Sequence, residues 1–244
     1  MKEQLYTIPV NDAFESDCEC PLCKMKKDLE RNAIEYTLGP SYMEDDNRAM
    51  TDETGFCEKH IQDLYLEKNR LGLALILSTH MQKTTRDLEN LSKETVAGKS
   101  LFKKSKDSTG IGAYVSKLQH SCFICNRMEQ TFNRYIDTIF HLYKKDPSLS
   151  DKIRNSKGFC TYHYGLLYDR ANEFLSKEQL QQFLNDINQV YFENMKRMQE
   201  DIEWFINKFD YRYQNEPWKN AKDALPRAIQ KTHQTFTPDA KTDV

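Results

Sequence analysis

The chain has no apolar run long enough to cross a bilayer: the longest, LGLALIL at Leu71–Leu77, falls far short of the roughly 20 residues a membrane helix needs. Its N-terminal stretch, MKEQLYTIPVND, lacks the apolar core of a secretion signal. It also lacks a charge excess of either sign, with 35 basic against 37 acidic side chains and a formal charge of -2, so nothing invites a polyanion and no nucleic-acid partner is expected. Period-two alternation, the mark of a half-buried strand, is confined to a weak LYTIPV at Leu5–Val10. These absences lead us to expect a cytoplasmic, all-α protein away from membranes. At 244 residues it is large enough to bury a core without disulfides. In a reducing compartment, closely spaced thiols point instead to metal binding or catalysis.

What the sequence does contain is a duplication. CPLC at residues 20–23 returns as CFIC at 122–125, and GFCEKH at 55–60 returns as GFCTYH at 158–163. The Leu64-Tyr65 pair downstream returns as Leu167-Tyr168. Six of the seven cysteines and two of the six histidines fall in these motifs, which makes the chain a repeated unit.

Thiolates and imidazoles at C-x-x-C and C-x-x-H spacing are the donor set of structural zinc, whose tetrahedral shell takes four ligands. Cys57 and His60 stand three apart, as do Cys160 and His163, and so share a helix face. The natural expectation is one Cys3His site per repeat: Cys20, Cys23, Cys57 and His60 in the first, Cys122, Cys125, Cys160 and His163 in the second, with two zinc ions in all. Cys18 and His120 lie two residues before each C-x-x-C and are candidate extra ligands. An iron–sulfur cluster ranks behind zinc because it normally takes four cysteines. Thiol redox chemistry of the thioredoxin kind calls for a strand before the motif, which this sequence does not offer.

Pro21 suits the first turn of a helix that runs to Gly39-Pro40, and the second copy does the same up to Asp146-Pro147. Short helical segments, MEDDNRAM and SLSDKIRN, precede each G-F-C. From Phe56 the apolar spacing predicts a helix into the 90s, with a kink at Gly72. Ser176 and Gln179 form a capping-box signature ahead of a helix of about eight turns reaching Phe209. The expected division is a first metal-binding repeat over 1–95, an exposed linker over 96–112, a second repeat over 113–215, and a C-terminal segment over 216–244 that packs back and frays at its end.

Near that end, Asp210, Tyr211, Arg212, Glu216 and Trp218 form a polar and aromatic cluster that is either a binding surface or a helix end folded back with Arg212 paired to a carboxylate. YTIPVNDAFE, the duplicated CPLC and GFCEKH motifs, and KFDYRYQNEP together resemble an uncharacterised family of bacterial cytoplasmic proteins common in anaerobic Firmicutes. The resemblance covers most of the chain. It implies a paired metal-binding unit at Cys20, Cys23, Cys57, His60, Cys122, Cys125, Cys160 and His163, and a terminal motif at Asp210, Tyr211, Arg212, Tyr213, Glu216 and Pro217, and implies no reaction. We therefore expect a pseudo-symmetric pair of zinc-stapled helical repeats acting as a structural or interaction module for an unknown protein or small-molecule partner. Two alternatives stay open: a zinc-thiolate redox sensor or metal carrier, and a metal-dependent enzyme.

Overall fold

The computed structural model describes residues 6–96 and 110–237. Among them there are α-helices and no strand. Helices α1 (Thr7–Glu15), α2 (Pro21–Leu38), α3 (Asp45–Thr54), α4 (Glu58–Leu66) and α5 (Arg70–Val96) are followed by α6 (Gly110–Gln119), α7 (Phe123–Lys145), α8 (Pro147–Asn155), α9 (Thr161–Phe174), α10 (Lys177–Asn207) and α11 (Ala224–His233). The fold is all-α, and among the described residues no helix is long and apolar enough to cross a membrane. Of the weak alternation at Leu5–Val10, Leu5 lies outside the described residues and Thr7–Val10 open a helix, α1, which buries Val10, Ala13 and Phe14 at helical spacing.

The duplication is visible as order. In each half a short helix leads to a C-x-x-C helix, then a short helix, a glycine, a helix beginning at C-x-x-H, and a long helix. Gly55 and Gly158 both adopt positive φ, +59° and +77°, a conformation glycine enters without strain. Each throws the chain into an extended turn that leaves Cys57 and Cys160 as the N-caps of α4 and α9. The helix expected from Phe56 onward is interrupted at residues 67–69, earlier than Gly72. Asn69 Oδ1 accepts from the Gly72 N–H at 2.9 Å and its amide donates to Leu38 O at 2.7 Å, so a new helix starts there. A Cβ at Gly72 would meet that Asn69 side chain at 2.7 Å. The Ser176–Gln179 capping box is present, and α10 runs for 31 residues.

The chain divides into two compact units, Met1–Lys27 with Phe132–Val244, and Asp28–Thr131. The boundaries fall inside α2 and α7, away from the divisions near 95 and 113 that the repeat suggests, and residues 97–109 of the expected linker lie outside the described residues. In the first unit Phe140 stacks on Phe174 (5.0 Å) and meets Phe183 edge-on (5.3 Å), over buried Leu149, Ile153, Leu167 and Ile187. Such ring pairs add about 0.5–1.5 kcal/mol beyond the area they bury. In the second unit Ala33, Leu38, Leu64, Leu73, Ile76, Phe123 and Ile124 close round Cys122. The second core thus forms against a cysteine-bearing helix start.

Candidate metal centres

The first cluster brings together Cys20 and Cys23 at the start of α2 with Cys160 and His163 at the start of α9. His163 Nδ1 lies 3.4 Å from Cys20 Sγ, 3.4 Å from Cys23 Sγ and 3.2 Å from Cys160 Sγ, and the sulfurs of Cys23 and Cys160 are 3.6 Å apart. The second cluster joins Cys57 and His60 at the start of α4 to Cys122 and Cys125 at the start of α7. There His60 Nδ1 is 3.2–3.3 Å from the sulfurs of Cys57, Cys122 and Cys125, with Cys57 and Cys125 at 3.9 Å. A tetrahedral ion with bonds of about 2.3 Å to sulfur and 2.0–2.1 Å to nitrogen separates its donors by about 3.8 Å (S···S) and 3.5 Å (S···N). Both clusters fit that spacing.

The pairing is therefore crossed. The expected sets took each C-x-x-C with the C-x-x-H of its own repeat; in the structure each faces the C-x-x-H of the other copy. Neither repeat is stapled to itself. Cys18 and His120 belong to neither cluster. The Cys18 thiol donates to Ala13 O and accepts from Ser16 Oγ, and exposed His120 turns Nδ1 to Ser116 O at 2.8 Å.

Local hydrogen bonds prepare the sulfurs. Cys160 Sγ accepts from the His163 N–H at 3.4 Å, and Cys122 Sγ from the Cys125 N–H at 3.5 Å. All four cluster helices start at the donors, so their positive ends favour thiolate. In the first cluster the hydrogen bonds from Cys20 and then Cys23 hold the Cys160 thiol far below its usual range. Burial pushes Cys20 up to about 12, and the bonds to Cys160 and Cys20 push Cys23 far up. In the second, burial is the largest influence and opposes ionisation of Cys122, but the hydrogen bonds from His60 and from the Cys125 and Cys57 backbone together outweigh it, bringing that thiol down to about 6. Burial lowers His60, yet the bonds to Cys122 and Glu30 carry it up to about 10.

The surroundings of the two histidines differ. His60 Nε2 lies 3.1 Å from Glu30 Oε1, a carboxylate–histidine pair of the kind that fixes a ligating ring. Glu30, His60 and Asp63 also lie close enough to suggest another ion. Lys59 Nζ already stands between the two carboxylates, 2.5 Å from Glu30 and 2.8 Å from Asp63, and Glu30 is left to orient the ring. His163 Nε2 is buried with no hydrogen-bond partner among the described residues, and its ring lies near those of Phe132 (5.5 Å) and Tyr162 (5.4 Å).

Behind the first cluster lies a feature the motifs do not signal. Lys231 of α11 is 1% exposed, and its Nζ donates to Glu19 O at 2.7 Å, Lys157 O at 2.5 Å and Phe159 O at 3.5 Å. Glu19 and Phe159 immediately precede Cys20 and Cys160, so one ammonium holds both ligand loops. The buried Glu19 carboxylate binds Arg197 at 2.5 Å and lies 3.4 Å from Lys231. Burial pushes the Lys231 ammonium down against the pull of Glu19. Neither Glu30 nor Lys231 stands at metal-ligand spacing from a cysteine, which is why sequence motifs miss both.

The C-terminal cluster is a turn. Asp210 receives Arg212 through both carboxylate oxygens at 2.6–3.1 Å, which hold its carboxyl down to about 2. Half-buried Trp218 packs on Phe205 at 5.9 Å, and the Lys208 ammonium ties the carbonyls of Tyr213, Gln214 and Glu216. Tyr211 is exposed and joins no site. The fold-back reading accounts for these residues.

Fold and donors define an all-α protein with two Cys3His clusters compatible with zinc binding. No curated protein and no solved structure matches the chain. It belongs to a family of unknown function, DUF6062, whose model matches residues 1–239.

Proposed function

We propose that each cluster binds one zinc ion and that the protein is a cytoplasmic helical module, of the bacterial Firmicutes type that its motifs resemble, built to present a surface to a protein or small-molecule partner. The observation that carries this reading is the closed donor set. Each cluster offers four protein ligands at tetrahedral spacing and, among the described residues, no fifth, whereas catalytic zinc keeps a position for water. Three thiolates and one imidazole leave a filled site at net -1, offset by the helix N-termini around it. Structural zinc binds zinc-finger peptides with an apparent ~10–16 kcal/mol; a chain with apolar cores of its own, as here, draws only part of that into its folding. The ions therefore act as staples, α2 to α9 and α4 to α7. The test is elemental analysis of protein purified without added metal, with an absorption spectrum. Two zinc per chain and a colourless solution are expected; stoichiometric iron with visible bands overturns the reading.

A further inference from the structure

The two clusters share a donor set and differ in access. Cys20, Cys23, Cys160 and His163 are all buried, at 0–2% exposure. In the other cluster His60 and Cys122 are buried, but Cys57 is half-buried and Cys125 is exposed. The two outer sulfurs are neighbours, 3.9 Å apart. They sit at helix starts, Cys57 as the N-cap of α4 and Cys125 in the first turn of α7, where a small backbone shift costs few helical hydrogen bonds. The Cys125 N–H points to Cys122 Sγ, so that hydrogen bond quiets the inner sulfur rather than the outer one.

We propose that Cys125 is the reactive thiolate of this protein, and that a hydroperoxide closes a Cys57–Cys125 disulfide while the buried cluster stays intact. This rests on the zinc-thiolate reading above. The Cys125 sulfur lone pair attacks one peroxide oxygen, the O–O bond breaks, and the departing hydroxide takes a proton to become water. Cys125 is then a sulfenic acid. The Cys57 thiolate attacks that sulfur, the S–S bond forms, and the second hydroxide leaves and is protonated to water. Two electrons pass from the thiolate pair to the peroxide. The sulfurs must close from 3.9 Å to about 2.05 Å. With two of its sulfurs spent, the cluster retains only Cys122 and His60 as donors, and its ion is released. Cys18, the one cysteine outside both clusters, is a half-buried thiol engaged with Ala13 O and Ser16 Oγ.

The experiment uses the full chain as purified. Metal content is measured first, hydrogen peroxide is then added with a chromogenic zinc chelator present, and the product is mapped by peptide mass spectrometry without reduction. The expected result is release of one zinc of the two, a Cys57–Cys125 disulfide, rebinding after dithiothreitol and added zinc, and the same release in Cys18→Ser. Release of both ions together, release of neither, a disulfide within Cys20, Cys23 and Cys160, or loss of the response in Cys18→Ser overturns the inference while leaving the zinc reading in place. A chain that holds no zinc before peroxide is added overturns both.

Discussion

One cluster is sealed and held from behind; the other faces solvent and is held from the side. In the first, His163 packs against the Phe132 ring with Nε2 unpartnered among the described residues, and the loops ahead of Cys20 and Cys160 are drawn together by the Lys231 ammonium. In the second, His60 leans on Glu30, itself fixed by Lys59, and the loops meet through lighter bonds: Ser121 Oγ donates to Thr54 O at 2.7 Å and the Phe123 N–H to Gly55 O at 3.0 Å. The same set of four donors, duplicated in sequence, has thus acquired different supports. A buried site is secured by a cation inside the protein, where an unpaired carbonyl would be costly. A partly exposed site is tuned by a carboxylate on its ligand.

The largest expected effect separates the two by stability. Cys160→Ser removes a buried sulfur that also caps α9 and receives the His163 N–H. We expect loss of one zinc and a loss of folding free energy on the order of 5 kcal/mol, which for a chain of this size lowers Tm by roughly 10–20 °C. Cys125→Ser exposes its change to water and should lose the other zinc for about 2 kcal/mol. Thermal unfolding followed by circular dichroism, with metal content measured in parallel, decides the order. Equal losses would erase the distinction between a sealed and an open site.

The crossing of the ligand pairs shows where sequence reasoning reached its limit. The duplicated motifs disclosed the donors, and the capping box at Ser176, the prolines opening α2 and α8, and the glycines before Cys57 and Cys160 disclosed helix starts, because each is a local rule. Which C-x-x-C meets which C-x-x-H is not local. Helix lengths do bear on it: α7, with 23 residues, carries the chain about 34 Å, while α8, with 9, returns only about 14 Å. Bringing Cys160 back to Cys122 would require the connecting residues to be stretched and α8 laid straight along α7. Helix lengths weighed alongside motif spacing would have favoured the crossed pairing. Glu30 and Lys231 were illegible for a different reason. Glu30 lies two helical turns beyond Cys23, and Lys231 reaches its carbonyls from a helix far along the chain, so only the packed structure brings them to the ligands.

Lys231→Met probes the support behind the buried cluster. It removes the donor to Glu19 O and Lys157 O while keeping most of the side-chain volume. The stranded carbonyls and the weakened Glu19 pairing should cost about 3 kcal/mol. The effect should be selective: competition with a chelator should show weaker zinc at Cys20, Cys23, Cys160 and His163, with the second ion unchanged. Equal weakening of both ions would mean that Lys231 supports the fold at large rather than those loops.

Glu30→Gln should produce the smallest change, on the other cluster. Glutamine still accepts from His60 Nε2 but loses the charge, so zinc affinity there should fall about tenfold, the lower end of the range for such outer partners. The hydrogen bond from His60 holds the Glu30 carboxyl down from 4.5 to about 2, with Lys59 assisting against burial. A carboxyl depressed in the folded state contributes stability that is complete above its ordinary value and is lost only as pH falls through about 2. Zinc-bound thiolates take up protons well before that point. The ratio of wild-type to variant affinity, measured by chelator competition between about pH 6 and 9, should therefore be flat. A ratio that collapses toward unity as the pH is lowered within that window would show that Glu30 is not the charged partner of His60, and that the ring is oriented by packing in both clusters.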